Sequence, residues 1–176
     1  MKFINLNFLI FIIYLISSSF SYSIEPPKFK NLIIHKEKIK IENIEFFNSE
    51  SKKVSLKDYN SGIVIINFWA TWCAPCRKEM PSLNKLKLNN KFKDVQIIPI
   101  NIGGETLEKS REFFKELDIK NLEIFFGSNV ELSKKFYIRG LPTTVLIDVD
   151  GYEFARILGY VDFENKTFLQ WLNYNL

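Results

Sequence analysis

The two cysteines of this 176-residue chain are separated by only two residues and directly follow a continuous, mostly apolar segment. Residues 63–70 are rich in β-branched and aromatic side chains, a pattern typical of a strand that is covered on both faces of a sheet. Cys73 and Cys76 come next, and Pro75 stands in the first turn of a predicted helix, where its missing N–H costs nothing. The pattern predicts a central strand and a helix that begins at the cysteine pair.

The spacing of this pair favours redox chemistry over a structural role. A disulfide across so short a ring removes little conformational entropy from the unfolded chain, whereas Cys-x-x-Cys is the common spacing for a bond that is made and broken. Structural zinc needs four ligands, and the chain offers one histidine, His35, and no further cysteine, which argues against a structural zinc site. Attachment of a c-type haem needs histidine directly after the second cysteine. Arg77 stands there, so haem attachment at this pair is excluded.

The first 23 residues have the outline of an export signal. Lys2 is followed by an apolar segment and then by three serines, as in a cleavable secretory peptide. Residues 3–22 are also long enough to stay in the membrane as an anchor, and either alternative places the domain outside the cytoplasm. The predicted organisation is a signal peptide or N-terminal membrane anchor (1–23), a tether (24–40) and a folded domain (41–176).

The net charge of +4 comes from lysines scattered along the whole chain. No basic and aromatic recognition pattern accompanies them, so we interpret these charges as solvated faces and not as a nucleic-acid surface. His35, within the tether, is interpreted in the same way as a solvated linker residue.

Strand and helix patterns alternate after the tether, which indicates an α/β fold with parallel pairing and a closing antiparallel hairpin. The predicted strands cover 44–47, 54–56, 63–70, 95–102, 122–126, 143–148 and 153–158, and the predicted helices cover 73–90, 106–117, 130–136 and 164–173.

Three separate segments together resemble the thioredoxin superfamily: Trp69–Cys76, Pro81, and Gly140–Thr144 before the closing hairpin. The export leader and the sequence Arg77–Pro81 are similar to the extracytoplasmic TlpA, ResA and CcmG branch of thiol-disulfide oxidoreductases. The resemblance implies a thioredoxin-like fold, with a central mixed β-sheet flanked by helices on both faces. It implies no cofactor besides the redox-active cysteine pair.

Within the pair, Cys73 is the predicted nucleophile, because unpaired N–H groups and the helix dipole stabilise a thiolate at a helix N-terminus. Cys76 is the predicted resolving thiol that releases the reduced product. Thioredoxin carries a buried aspartate where this chain has Asn67, so that carboxylate is missing. Glu79 resembles the glutamate that the ResA and CcmG branch keeps near its dithiol, and we assign it the proton-handling role. The alternative is that Glu79 only complements the helix N-terminus and its basic neighbours.

The resemblance also implies a substrate groove. Pro142 resembles the cis-proline that faces the dithiol in this superfamily, although a trans proline entering a strand is the statistical default. The backbone of Leu141 would pair with an extended substrate segment, and Trp72 and Pro75 would form the rim. Trp69 is expected in the core.

The residues Ala74-Pro75 between the cysteines resemble the reducing motif of thioredoxin, whereas oxidases and isomerases more often carry histidine before the second cysteine. The expected function is therefore a periplasmic protein-disulfide reductase, held at the inner membrane if residues 3–22 are retained. Its expected clients are a copper-site assembly factor, an oxidase subunit or apocytochrome c, and its expected electron donor is a membrane transporter of the CcdA or DsbD kind. The alternatives are an oxidase or isomerase of the same fold, or a copper(I) carrier using the two cysteines and Met80.

Overall fold

A computed structural model describes residues 25–59 and 61–176, so the predicted leader, residues 1–23, lies outside the described part. The strands are β1 (Leu32–Lys40), β2 (Glu45–Phe47), β3 (Lys53–Ser55), β4 (Val64–Trp69), β5 (Gln96–Asn101), β6 (Phe125–Phe126), β7 (Thr143–Ile147) and β8 (Tyr152–Leu158). The helices are α1 (Ala74–Leu88), α2 (Leu107–Glu116), α3 (Asn129–Lys135) and α4 (Lys166–Tyr174). Two short 3-10 turns, Leu56–Asp58 and Asn90–Phe92, connect them. Over these two described ranges, no helix combines the length and the hydrophobicity needed to cross a membrane.

The strands form one mixed sheet in the order β1-β8-β7-β4-β5-β6-β2-β3. Strand β4 pairs in parallel with β5 and antiparallel with β7, and all six of its residues are buried. Its position confirms the prediction of a central strand that leads to the cysteines. The predicted α/β class with a mixed sheet is confirmed as well.

Alternate residues of β4 face two separate hydrophobic clusters. Ile65 and Trp69 pack in one cluster with α1, α2 and α4, and Ile66 and Phe68 pack in the other with Leu132 of α3. Helices therefore cover both faces of the sheet, as the resemblance implied. Since side chains alternate along a strand, Asn67 lies on the same face as Ile65 and Trp69, toward α1.

Residues 32–40 form an edge strand, so the prediction of a tether over 24–40 is wrong for this segment. Strand β1 pairs antiparallel with β8, with Leu32 opposite Ile157 and an irregularity between Ile34 and Ile39. His35 is not a solvated linker residue, because its Nε2 lies 2.7 Å from Oε1 of Glu153. The charged, exposed face of this edge strand hides the strand pattern in the sequence.

Candidate active site

The cysteine pair lies where β4 ends and α1 begins. Cys73 is the N-cap of α1, and its Sγ accepts a hydrogen bond from the backbone N–H of Cys76 at 3.2 Å. The backbone N–H of Cys73 donates to the carbonyl oxygen of Ala70 at 3.2 Å, which closes the turn before the helix. Cys73 and Cys76 form a disulfide, and both are buried. The sulfur predicted to be nucleophilic thus faces the free N–H groups of a helix, which stabilise negative charge.

Glu79, three residues after Cys76, is completely buried on the same helix. Its Oε1 accepts a hydrogen bond from Nδ2 of Asn67 at 2.7 Å, and its Oε2 accepts one from the N–H of Val161 at 3.1 Å. Burial raises the pKa of the carboxyl to about 8, although these two hydrogen bonds act in the opposite direction. Residues three apart on a helix are neighbours, so a carboxyl that is mostly protonated at neutral pH lies beside Cys76, the predicted resolving cysteine.

Asn67 connects Glu79 to the sheet. Its Nδ2 also donates to Oγ1 of Thr144 on β7 at 3.0 Å, so one amide joins α1, β4 and β7. Where the resemblance places an aspartate, this chain supplies a neutral donor. The site therefore contains one carboxyl group at this point and not a pair of carboxyls that would share a proton.

Three of the predicted groove residues, Leu141, Pro142 and Trp72, line two cavities that share Leu141. The Leu141–Pro142 peptide bond is cis. Leu141 borders both a cavity of about 540 Å³ that Pro142 also lines and a smaller one of about 180 Å³ that Trp72 lines. Trp72 is 68% exposed, and Pro75 is exposed in the first turn of α1 but lines neither cavity. Trp69 is completely buried, as expected of a core residue.

Sequence reasoning missed two polar residues at this edge of the sheet, Thr144 and Glu105. Thr144 holds Asn67, and Glu105 accepts hydrogen bonds from Thr71 in the turn before Cys73. Glu105 follows β5, the parallel neighbour of β4. Because the carboxyl ends of parallel strands meet at one edge of a sheet, its position after β5 was the signal that could have identified it.

In the ranges 25–59 and 61–176, no set of three or more His, Cys, Asp or Glu side chains is placed to hold a metal ion. The thioether of Met80, the third ligand of the copper alternative, is completely buried in the core cluster that contains α1.

The fold and the site together define a class: a thioredoxin-like thiol-disulfide oxidoreductase, with a Cys-x-x-Cys disulfide at the N-terminus of the helix that follows the central strand. The chain belongs to the AhpC/TSA family, whose profile matches residues 38–152.

Relatives within this class carry the name ResA. The chain is 40% identical over 110 residues to the thiol-disulfide oxidoreductase ResA of Bacillus thuringiensis subsp. konkukian (strain 97-27), and the match covers 62% of each chain. Identity to ResA of Bacillus thuringiensis (strain Al Hakam) is 31% over 163 residues, which is 90% of this chain and 91% of the relative. The crystal structure of a putative thiol:disulfide interchange protein DsbE from Chlorobium tepidum shares the fold, with a TM-score of 0.66 and 24% identity over 78% of this chain and 98% of that one.

Proposed function

We propose that this protein reduces disulfides in exported proteins. The observation that carries the proposal is a helix-capping Cys73 combined with a buried, mostly neutral Glu79 beside the resolving Cys76. The residues between the cysteines, Ala74 and Pro75, include no histidine of the kind that stabilises the thiolate in oxidising members of the fold.

The first step is attack by the Cys73 thiolate on one sulfur of a client disulfide. The client S–S bond breaks, a mixed disulfide forms at Cys73, and the second client sulfur leaves as a thiolate that takes up a proton. The N–H of Cys76 and the positive end of the α1 dipole hold the charge on Cys73 before the attack.

The second step is attack by Cys76 on Sγ of Cys73. Cys76 first loses its proton, and the attack releases the other client sulfur, which takes up a proton. The client has then gained two electrons and two protons, and the Cys73–Cys76 disulfide has formed.

Glu79 is the group that handles the Cys76 proton in this proposal. Its pKa of about 8 lies close to the ordinary thiol value of about 8.5, so proton transfer between the two side chains is nearly balanced in free energy. A surface carboxyl with an ordinary pKa would be a much weaker base toward a thiol. The pKa of Glu79 reaches this value because the carboxyl is buried and its hydrogen-bond donors are neutral.

The client segment is proposed to bind in an extended form along Leu141 and Pro142, with Trp72 and Pro75 at the rim. The arrangement that supports this is the exposed Trp72 indole, which shares a cavity with Leu141 next to the disulfide turn. Backbone pairing gives affinity for many sequences, as expected of an enzyme with several clients.

In the cell, the proposed location is the periplasm, with residues 3–22 as an inner-membrane anchor or part of a cleaved signal. A dithiol in an oxidising compartment needs a dedicated electron supply, and we propose a membrane transporter of the CcdA or DsbD kind. The proposed clients are copper-site assembly factors, oxidase subunits or apocytochrome c.

The direction of the reaction is tested by the reduction potential of the pair. A value near that of thioredoxin, about −270 mV, supports a reductase, and a value near about −120 mV would instead indicate an oxidase.

The client is tested with Cys76→Ser, which leaves Cys73 joined to its client. The matched control is Cys73→Ser, which we expect to trap nothing.

A further inference from the structure

We propose that Glu105 is a positioning residue that fixes the turn carrying Cys73. Its negative charge destabilises the Cys73 thiolate, and this favours the reducing direction of exchange. The inference about direction rests on the proposed reductase function. The inference about the Cys73 thiolate does not.

The contact between Glu105 and the turn is direct. Oε1 of Glu105 accepts two hydrogen bonds from Thr71, one from its backbone N–H at 2.8 Å and one from its Oγ1 at 2.6 Å. Thr71 lies between β4 and α1, two residues before Cys73, and the N–H of Cys73 is bonded to Ala70 in the same turn. A side chain from the loop after β5 therefore holds the start of the active-site turn.

The loop that carries Glu105 approaches this turn too closely for any residue but glycine at position 103. A Cβ placed on Gly103 would clash with Oε2 of Glu105 and would lie 2.6 Å from Cβ of Ala70. The N–H of Gly103 donates to Oδ1 of Asn101 at 2.8 Å, which fixes the loop at the end of β5. The close approach is an observation independent of the Thr71 hydrogen bonds.

The carboxyl of Glu105 is ionised at neutral pH. Burial acts to raise its pKa, but hydrogen bonds, first those from Thr71 and then those from the Asn101 side chain and the Glu105 backbone, together outweigh burial and leave the pKa below its ordinary value. Two residues span at most about 7 Å, so this charge lies on the order of 10 Å from Cys73, close enough to disfavour a thiolate there.

The other charged groups around the dithiol act differently. Arg77 pairs with Glu116 at 2.8 Å, and Nζ of Lys78 lies 4.2 Å from the centre of the Tyr160 ring. These cations and the N-terminus of α1 favour the thiolate, and Glu79 is mostly neutral at pH 7. Glu105 opposes them, and a less stable thiolate makes the dithiol a better reductant.

Glu105→Gln tests the charge with little change of shape, and Glu108→Gln is the matched control. Glu108 is an exposed carboxylate three residues away, in the first turn of α2. In reduced Glu105→Gln we expect a lower Cys73 pKa, so that iodoacetamide alkylation below that pKa is about threefold to tenfold faster. We also expect a shift of the same size in the exchange equilibrium with glutathione, which equals about 14 to 30 mV. Glu108→Gln is expected to match the wild type in both measurements.

Glu105→Asp, which retains the charge, is expected to keep the wild-type Cys73 pKa. The proposal is overturned if Glu105→Gln lowers only thermal stability and gives the same Cys73 pKa as Glu108→Gln. If Glu105→Gln does not fold, Glu105→Ser, which leaves room for water, is measured in the same way. An oxidising wild-type potential with a lowered Cys73 pKa in the variant would reject the reductase function but keep this role for Glu105. A reducing wild-type potential with an unchanged Cys73 pKa in the variant would keep the reductase function but reject this role for Glu105.

Discussion

In the part of the chain that the structure describes, two glutamates are completely buried, Glu79 on α1 and Glu153 on β8. They differ in the groups that surround their carboxyls. Arg156 donates hydrogen bonds to Glu153 through two nitrogens, with Nε 2.6 Å from Oε1 and a terminal nitrogen 2.7 Å from Oε2. His35 Nε2 lies 2.7 Å from the same Oε1. Glu79 has an amide, from Asn67, and a backbone N–H as its hydrogen-bond donors.

This difference separates a paired structural carboxylate, Glu153, from the carboxyl that is proposed to handle the Cys76 proton, Glu79. The Arg156 guanidinium, on the same strand, compensates the buried Glu153 carboxylate through both oxygens. The His35 contact joins this carboxylate on β8 to β1. Neutral donors compensate much less, so burial dominates at Glu79 and raises its pKa to about 8. Burial alone therefore does not identify a candidate for proton transfer, and the charge of the hydrogen-bond donors has to be considered as well.

The largest expected effect follows from removal of the guanidinium from Glu153. Arg156→Met keeps most of the aliphatic bulk but leaves a buried carboxylate without its main partner. We expect the free energy of unfolding, measured with urea, to fall by about 3 to 5 kcal/mol.

Arg139→Met is the matched control, because Arg139 lines the same 540 Å³ cavity as Arg156 but is exposed. We expect a change within about 0.5 kcal/mol for this variant. The double variant Glu153→Leu/Arg156→Met removes both charges and is expected to recover most of the loss. Equal stabilities of Arg156→Met and Arg139→Met would contradict the description of Glu153 as a compensated structural charge.

The second prediction concerns the dependence of stability on pH. The folded-state pKa of Glu79 is raised from 4.5 to about 8, so the folded protein keeps a proton that the unfolded chain loses. This contribution to stability is complete below pH 4.5 and is lost as the pH rises toward 8. We expect it to lower the free energy of unfolding of the oxidised protein by about 2 to 3 kcal/mol between pH 5 and pH 7.

Glu79→Gln, which cannot ionise, is expected to remove this part of the pH dependence, and the difference between the two urea titrations isolates it. Glu112→Gln, on the exposed side of α2, is the control and should follow the wild type. Parallel curves for the wild type and Glu79→Gln would mean that Glu79 has an ordinary pKa, and its proposed role with Cys76 would lose its basis.

The features of the site that follow one another in the chain were predictable from the sequence. The apolar run before the cysteines, Pro75 in the first helical turn and the position of Glu79 one turn after Cys76 are all local patterns. The structure confirms β4 as the central strand and α1 as the helix that begins after Cys73.

The partners of Glu153 and Glu105 were not predictable in this way, because they come from distant parts of the chain. His35 and Glu153 are 118 residues apart, and Thr71 and Glu105 are 34 residues apart. Single side-chain hydrogen bonds across a sheet leave no period in a sequence. Strand β1 was missed for a related reason: an edge strand needs few apolar residues, and its partner β8 lies at the other end of the chain.

The smallest expected effect tests whether His35 helps to hold β1 in the sheet. His35→Ala removes one of the donors to Glu153 but leaves the hydrogen bonds from Arg156. We therefore expect a loss of about 1 to 2 kcal/mol in the free energy of unfolding. Lys36→Ala, at the exposed neighbouring position, is the control, with a change within about 0.5 kcal/mol. A tether would give no difference between the two variants, because neither side chain would have a partner to lose. A measurable difference would instead mean that residues 32–40 belong to the folded domain.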